Sequence, residues 1–144
     1  MDSPTRENLP VYIEEMKKHN VTHLVRVCEP AYPPEPVEQA GITVHEWNFP
    51  DGEEPPSAVI DRWLDLVEAC EAKKGEARQT IAVHCVAGLG RAPVLVAIAL
   101  IEHGLDPLDV IQLIRSRRHG AMNPRQARFV EKYKPRRKKE CVIM

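Results

Sequence analysis

Apolar and polar positions along this chain fall into blocks, and prolines draw the boundaries between them. Residues 9–19 (LPVYIEEMKKH) read as a short helix. Residues 22–28 (THLVRVC) and 42–47 (ITVHEW) are rich in β-branched and other large apolar side chains and predict strands. Over 57–74, Ile60, Trp63, Val67 and Cys70 recur at spacings of three and four, the signature of an amphipathic helix. Residues 80–84 (TIAVH) make a short buried strand. Residues 92–103 (APVLVAIALIEH) are apolar nearly all round, as a central buried helix is. Two more helices are predicted near 107–118 and 124–133. Loops are marked at Pro30, Pro33, Pro34 and Pro36, and again at Pro50, Pro55 and Pro56. Strands separated by helices predict an α/β domain around a mostly parallel sheet. Such sheets bind ligands beyond the carboxyl ends of their strands.

Length and composition narrow this picture. A chain of 144 residues suits one core. It is 43% hydrophobic and 28% charged, which excludes wholesale disorder. No apolar run approaches the ~18 residues of a membrane span, and the opening MDSPTRENLP lacks the basic and apolar regions of a secretory signal. Four cysteines are too few for a disulfide scaffold and point to a reducing, intracellular setting. The net charge of -1 hides an asymmetry: residues 1–114 are strongly acidic and residues 115–144 strongly basic. An acidic body with a basic end suits an anionic partner surface, lipid or nucleic acid.

The loop between strand 80–84 and helix 92–103 carries the chemistry. It reads His84-Cys85-Val86-Ala87-Gly88-Leu89-Gly90-Arg91. Glycines let successive N–H groups turn toward one point, and the following helix adds the positive end of its dipole. Pro93 suits a helix start. The expected product is a cup for a tetrahedral dianion, formed by Val86, Ala87, Gly88, Leu89, Gly90 and Arg91. Cys85 at its base should have a lowered thiol pKa and act as nucleophile, while Arg91 grips two phosphate oxygens. No Gly-Lys-Ser/Thr follows the glycines, so a Walker loop is excluded. The competing assignment is a buried structural cysteine beside an ordinary glycine turn.

HCVAGLGR resembles the signature loop of cysteine-dependent protein tyrosine phosphatases. The longer run VHCVAGLGRAPVLVAIALIE resembles the phosphatases of regenerating liver, as do VTHLVRVCE, WNFPDG and the ending CVIM. The resemblance implies a single cysteine-phosphatase domain (residues 1–134) that lacks the family's first two strands, followed by a tail (135–144). A sheet so shortened needs its exposed edge covered. It also implies a protein tyrosine or dual-specificity phosphatase acting through phosphocysteine, with no cofactor and no metal.

Ester cleavage needs a proton donor for the leaving oxygen, which a carboxylic acid on a mobile loop supplies. Asp51 in Trp47-Asn48-Phe49-Pro50-Asp51-Gly52 matches the family's general acid, with Glu53 and Glu54 as nearby competitors. Pro50 and Asn48 depart from the family pattern. Ala92 stands where most cysteine phosphatases carry a Ser or Thr that helps the sulfur leave, so slow hydrolysis of phospho-Cys85 is expected. If the strands are parallel, Cys28 and Cys85 emerge at one edge of the sheet. The resemblance implies a reversible disulfide between them; otherwise Cys28 is a small core residue, as Cys70 is expected to be.

The tail ends Lys138-Lys139-Glu140-Cys141-Val142-Ile143-Met144. Cys141, fourth from the end before two aliphatic residues and Met, is a farnesylation motif. One lipid chain anchors weakly, and the upstream basic run supplies the second signal. The expected location is the cytoplasmic face of the plasma membrane or endosomes, with a cytoplasmic or nuclear pool when unprenylated. A nuclear-localisation or RNA-binding run is the alternative, weakened by the few interleaved aromatics; nucleic acid is not an expected partner. The substrate expected is a phosphorylated protein. A phosphoinositide is the lesser option, because Val86, Ala87 and Leu89 are apolar. The rival to catalysis is a binding module whose pocket docks an acidic loop, as the resemblance implies for CBS-pair domains of magnesium-transport mediators.

Overall fold

The structure is a computed structural model that describes residues 1–71, 79–86 and 89–137. Its elements run α1 (Leu9–Lys18), β1 (Val21–Arg26), α2 (Glu35–Gln39), β2 (Thr43–Glu46), α3 (Ser57–Glu71), β3 (Thr80–His84), α4 (Arg91–Glu102), α5 (Pro107–Arg117) and α6 (Pro124–Lys132). The predicted α/β class and parallel sheet are found. The described sheet has three strands in the order β2-β1-β3, all parallel. Each predicted element is present, β3 with its predicted bounds and the others with shifted ends. β1 stops at Arg26, so Cys28 lies two residues past the strand rather than ending it. Residues 72–74 of the predicted helix lie outside the described residues.

One helix was not predicted. α2 occupies the Pro-rich stretch read as loop, and Pro36 sits in its first turn, where a missing N–H costs nothing.

Central strands of parallel sheets are covered on both faces, and β1 behaves so. Leu24 enters a cluster with Leu9, Met16, Val37 and Ile42, under α1 and α2. Val25 and Val27 enter the larger cluster beneath α3, α4, α5 and α6. α4 is that cluster's axis, as its all-round apolar sequence predicts: Val94, Leu95, Ala97 and Ile98 are fully buried. Trp63 pins α3 to it by donating its indole N–H to the Leu95 carbonyl at 2.7 Å. The outer edge of β3 is met by the N-terminal residues, the Met1 amine donating to Val83 O and the Ser3 N–H to Val86 O, both at 3.0 Å.

The parallel arrangement brings the ends of β1 and β3 and the chain after β2 to one side. Arg26 pairs in register with both Glu46 and His84. The residues that follow, Cys28, Cys85 and the Trp47–Gly52 loop, therefore converge. Trp63→Phe removes the indole donor and part of the ring, and should cost about 2 kcal/mol of unfolding free energy in urea, with the rate of Cys85 alkylation in the folded state unchanged.

Candidate active site

The signature loop begins at the end of β3 and closes at the N-terminus of α4. Cys85 is 4% exposed and Arg91 2% exposed. They border a cleft of about 400 Å³ that Asp51, Gly52, Val86, Leu89, Gly90, Asn123 and Gln126 help to line. Of the predicted phosphate cup, Val86, Leu89, Gly90 and Arg91 are placed at this cleft; Ala87 and Gly88 lie outside the described residues. Val86 and Leu89 turn apolar side chains outward, 60% and 37% exposed.

Gly90 meets α6 closely, a contact the sequence did not reveal. Its φ of -126° is open to any residue. A Cβ there would stand 3.3 Å from both Nε2 and Oε1 of Gln126, tighter than ordinary contact. The glycine permits close approach of α6 rather than a left-handed turn.

Arg91 ties the signature loop to the loop carrying Asp51. Its Nη1 donates to Phe49 O at 3.0 Å and to Asn48 Oδ1 at 3.4 Å. Its Nε faces Asp51 Oδ1 at 3.7 Å, beyond hydrogen-bond length, so this buried donor has no hydrogen-bond partner among the described residues. Glu29 Oε2 stands 3.9 Å from Nη1; its own backbone N–H, then Arg91 and Asn48, hold its carboxyl below the usual range. Asp51 itself is 86% exposed at the mouth of the cleft. Of its named competitors, Glu54 and Glu53 instead pair with Arg125, at 2.7 and 3.7 Å.

α6 braces the same loop, a contact absent from the sequence reading. Asn123 and Gln126 form a capping box: Asn123 Oδ1 accepts from the Gln126 N–H at 2.8 Å, and Gln126 Oε1 accepts from the Asn123 N–H at 3.1 Å. Their remaining amide hydrogens reach across, Asn123 Nδ2 to Gly52 O at 3.0 Å and Gln126 Nε2 to Glu53 O at 3.2 Å. The sequence signal was Asn-Pro-x-Gln at a helix start, which announces the cap but not its second use.

Beneath Cys85 lies a buried polar chain. His84 Nδ1 is 3.0 Å from Cys85 O, an atom that only accepts, so Nδ1 carries the hydrogen. His84 Nε2 must then accept, and it does so from the Tyr32 hydroxyl at 2.6 Å. Burial pushes the His84 pKa down to about 4 and the Tyr32 pKa up to about 12, so the ring is neutral and the phenol protonated at physiological pH. Tyr32 is held by Arg26, whose Nη1 donates to Tyr32 O at 2.7 Å and whose guanidinium carbon lies 4.6 Å from the ring centroid. Cys28 Sγ is 3.9 Å from His84 Nδ1. Both Cys28 and Cys85 are thiols here; burial pushes the Cys28 pKa up. Tyr32 had no distinguishing motif in the sequence. The arrangement can receive a tetrahedral anion at Arg91, with a thiol and a carboxyl group lining the same cleft. Among the described residues no group of His, Cys, Asp and Glu is placed to hold a metal.

Unfolded histidine titrates near 6.5, so as pH falls the unfolded chain binds a proton that folded His84 refuses. The stability due to the neutral ring is complete above pH 6.5 and is lost as pH falls toward 4. On this account unfolding free energy should drop by about 2 kcal/mol between pH 7 and 5. His84→Gln should lack this component, and nitrogen-15 NMR should show the Nδ1–H form of His84 in the parent and still in Tyr32→Phe, where Cys85 O continues to accept from Nδ1.

Comparison with known proteins agrees with this geometry. A family model described as a DSP-PTPase phosphatase of polymorphic toxin systems matches residues 2–105. The chain is 51% identical over 138 residues to human protein tyrosine phosphatase type IVA 3, covering 94% of this chain and 78% of that protein. It is 49% identical over 150 residues to protein tyrosine phosphatase PRL-1 of Leishmania major, covering 100% and 86%. The structure of a Leishmania major protein tyrosine phosphatase superposes with a TM-score of 0.84 at 48% identity, covering 93% of this chain and 85% of that one. With half its residues shared over nearly its whole length, the chain belongs to the PRL, or type IVA, family of cysteine-dependent protein tyrosine phosphatases.

Proposed function

We propose that the chain hydrolyses phosphate monoesters of proteins through phospho-Cys85. The observation that carries this reading is the convergence of Cys85, buried Arg91 and exposed Asp51 on one cleft. The Cys85 thiolate attacks phosphorus, an S–P bond forms, the P–O bond to the leaving group breaks, and Asp51 gives that oxygen its proton. Water then attacks phosphorus, Asp51 takes the water's proton, the S–P bond breaks and orthophosphate leaves with the thiolate restored. Arg91 positions the phosphoryl oxygens and stabilises their charge in both steps. The outward apolar Val86 and Leu89 favour a protein substrate over a highly charged inositol phosphate.

The second step is slow in this reading, because Ala92 has no hydroxyl to offer the leaving sulfur. A disulfide between Cys28 and Cys85 would block the nucleophile and guard it against over-oxidation; the parallel pairing of β1 and β3, which brings both residues to one end of the sheet, supports the pairing. Farnesylated Cys141, with the basic run before it, would anchor the protein at a cytoplasmic membrane face. Cys141 lies outside the described residues, and no described helix is long and apolar enough to cross a membrane. A second reading, docking of an acidic loop such as that of a CBS-pair magnesium-transport mediator, draws support from Arg91, which already stands within 4 Å of two carboxylates, Glu29 and Asp51.

Rapid mixing with an aryl phosphate under reducing conditions should give a burst of about one equivalent of phenol and protein-bound phosphate, then slow turnover. Cys85→Ser should abolish both phases, and a parent protein without Cys85-dependent turnover would leave the docking reading in place. Asp51→Asn should cut the burst rate by about 10²- to 10⁴-fold. Ala92→Ser should raise steady-state turnover by about one order of magnitude with the burst rate little changed; an unchanged steady rate would remove the account of Ala92.

A further inference from the structure

Four carboxylates on two helices meet the end of the described chain. On α3, Asp61, Asp65 and Glu68 recur at four and three residues and share one outer stripe, where like charges repel. Glu102 closes α4, an end where the helix dipole disfavours a carboxylate, and no basic residue stands in that last turn. Both features are answered by Arg136 and Arg137. The Glu102 carboxylate accepts from the Tyr133 hydroxyl at 2.7 Å, from the Arg136 N–H at 2.7 Å and from the Arg137 N–H at 3.1 Å. Arg137 Nη1 reaches Asp65 Oδ1 at 2.9 Å and Glu68 Oε2 at 3.2 Å. Arg136 reaches Asp61 Oδ1 at 3.5 Å and Ser57 Oγ at 3.2 Å.

This is more than a set of surface ion pairs. Isolated exposed pairs contribute little, but here one carboxylate takes two successive backbone N–H groups, so the path of the chain is fixed as well as its side chains. Tyr133, 8% exposed, secures the segment just before. The first two arginines of the basic tail are thereby neutralised on the acidic body.

We propose that the α3 stripe and Glu102 form an acidic dock for Arg136–Arg137, and that an anionic bilayer competes with the dock for the same two arginines. The competition rests on the membrane reading of the tail given above; the dock does not. In solution Arg136 and Arg137 lie on α3. At an anionic leaflet the arginines gain a denser field of negative charge, and the stripe they leave is repelled from it, which turns the body away from the lipid.

The test uses the full chain in three forms: the parent, Asp65→Asn/Glu68→Gln, and a control with the same charge change on α2, Glu35→Gln/Glu38→Gln. Trypsin cleavage after Arg136 and Arg137 is timed in solution. Partition onto vesicles of phosphatidylcholine with about one-third phosphatidylserine is measured for each, with and without farnesylation. The dock variant should be cut faster than parent and control, and should bind vesicles roughly three- to tenfold more tightly than the control. Equal cleavage of all three forms would overturn the dock. Faster cleavage with vesicle affinity no higher than the control's would overturn the competition. Absence of vesicle binding by every form, farnesylated or not, would overturn the membrane reading and the competition with it, while the cleavage rates still decide the dock.

Discussion

Arg91 begins α4 with its side chain 2% exposed, and a guanidinium so placed persists only where fixed acceptors meet its donors. The acceptors come from another loop: Phe49 O and Asn48 Oδ1. That loop is itself fixed because Phe49 is a core residue, 3% exposed and packed in the cluster around α4. One buried cation thus sets the distance between the loop that holds Cys85 and the loop that holds Asp51. The positioning of Asp51, 86% exposed, is inherited from Arg91 on one side and from the α6 brace on Gly52 and Glu53 on the other.

A second constraint runs across the sheet. Parallel register places Glu46, Arg26 and His84 in one row over three strands. Arg26 is 1% exposed and ion-paired with Glu46, and Tyr32 spans from Arg26 to His84. A charged imidazole would face the guanidinium next to it across low dielectric. The neutral Nδ1–H form avoids this, and it leaves His84 a hydrogen-bond donor to Cys85 O without being a cation. Positive potential at the thiol then has to come from Arg91 and the start of α4.

Sequence patterns carried the element order because periodicity is local: Ile60, Trp63 and Val67 announce a helix without reference to anything else. The strand–loop–helix around Cys85 was legible for the same reason, as was the convergence of Cys28 and Cys85, which follows from parallel strands alone. What escaped were contacts between residues far apart in sequence. Tyr32 meets His84 across 52 positions, and Asn123 meets Gly52 across 71; neither leaves a periodic trace. α2 escaped because Pro34 and Pro36 signal a loop and a helix's first turn equally well. The basic charge of residues 115–144 was read as pointing to an anionic partner, whereas Arg115 donates to the carbonyls of Ala121 and Met122 and Arg118 pairs with Asp2. Charge composition records how many cations a segment has and is silent on which are already engaged.

The brace from α6 has a consequence for how this site can diverge. Asn123 and Gln126 both bond to backbone carbonyls of the Asp51 loop, those of Gly52 and Glu53, and every amino acid supplies a carbonyl. Side chains at the braced positions are therefore open to replacement so far as the brace is concerned, although the φ of +80° at Gly52 favours glycine there. The requirement falls on the donors, each of which needs an amide that bonds its own helix cap and the loop together, a demand that Asp and Glu cannot meet. Variation in substrate preference can accumulate on the loop while the geometry that holds it is written seventy residues downstream.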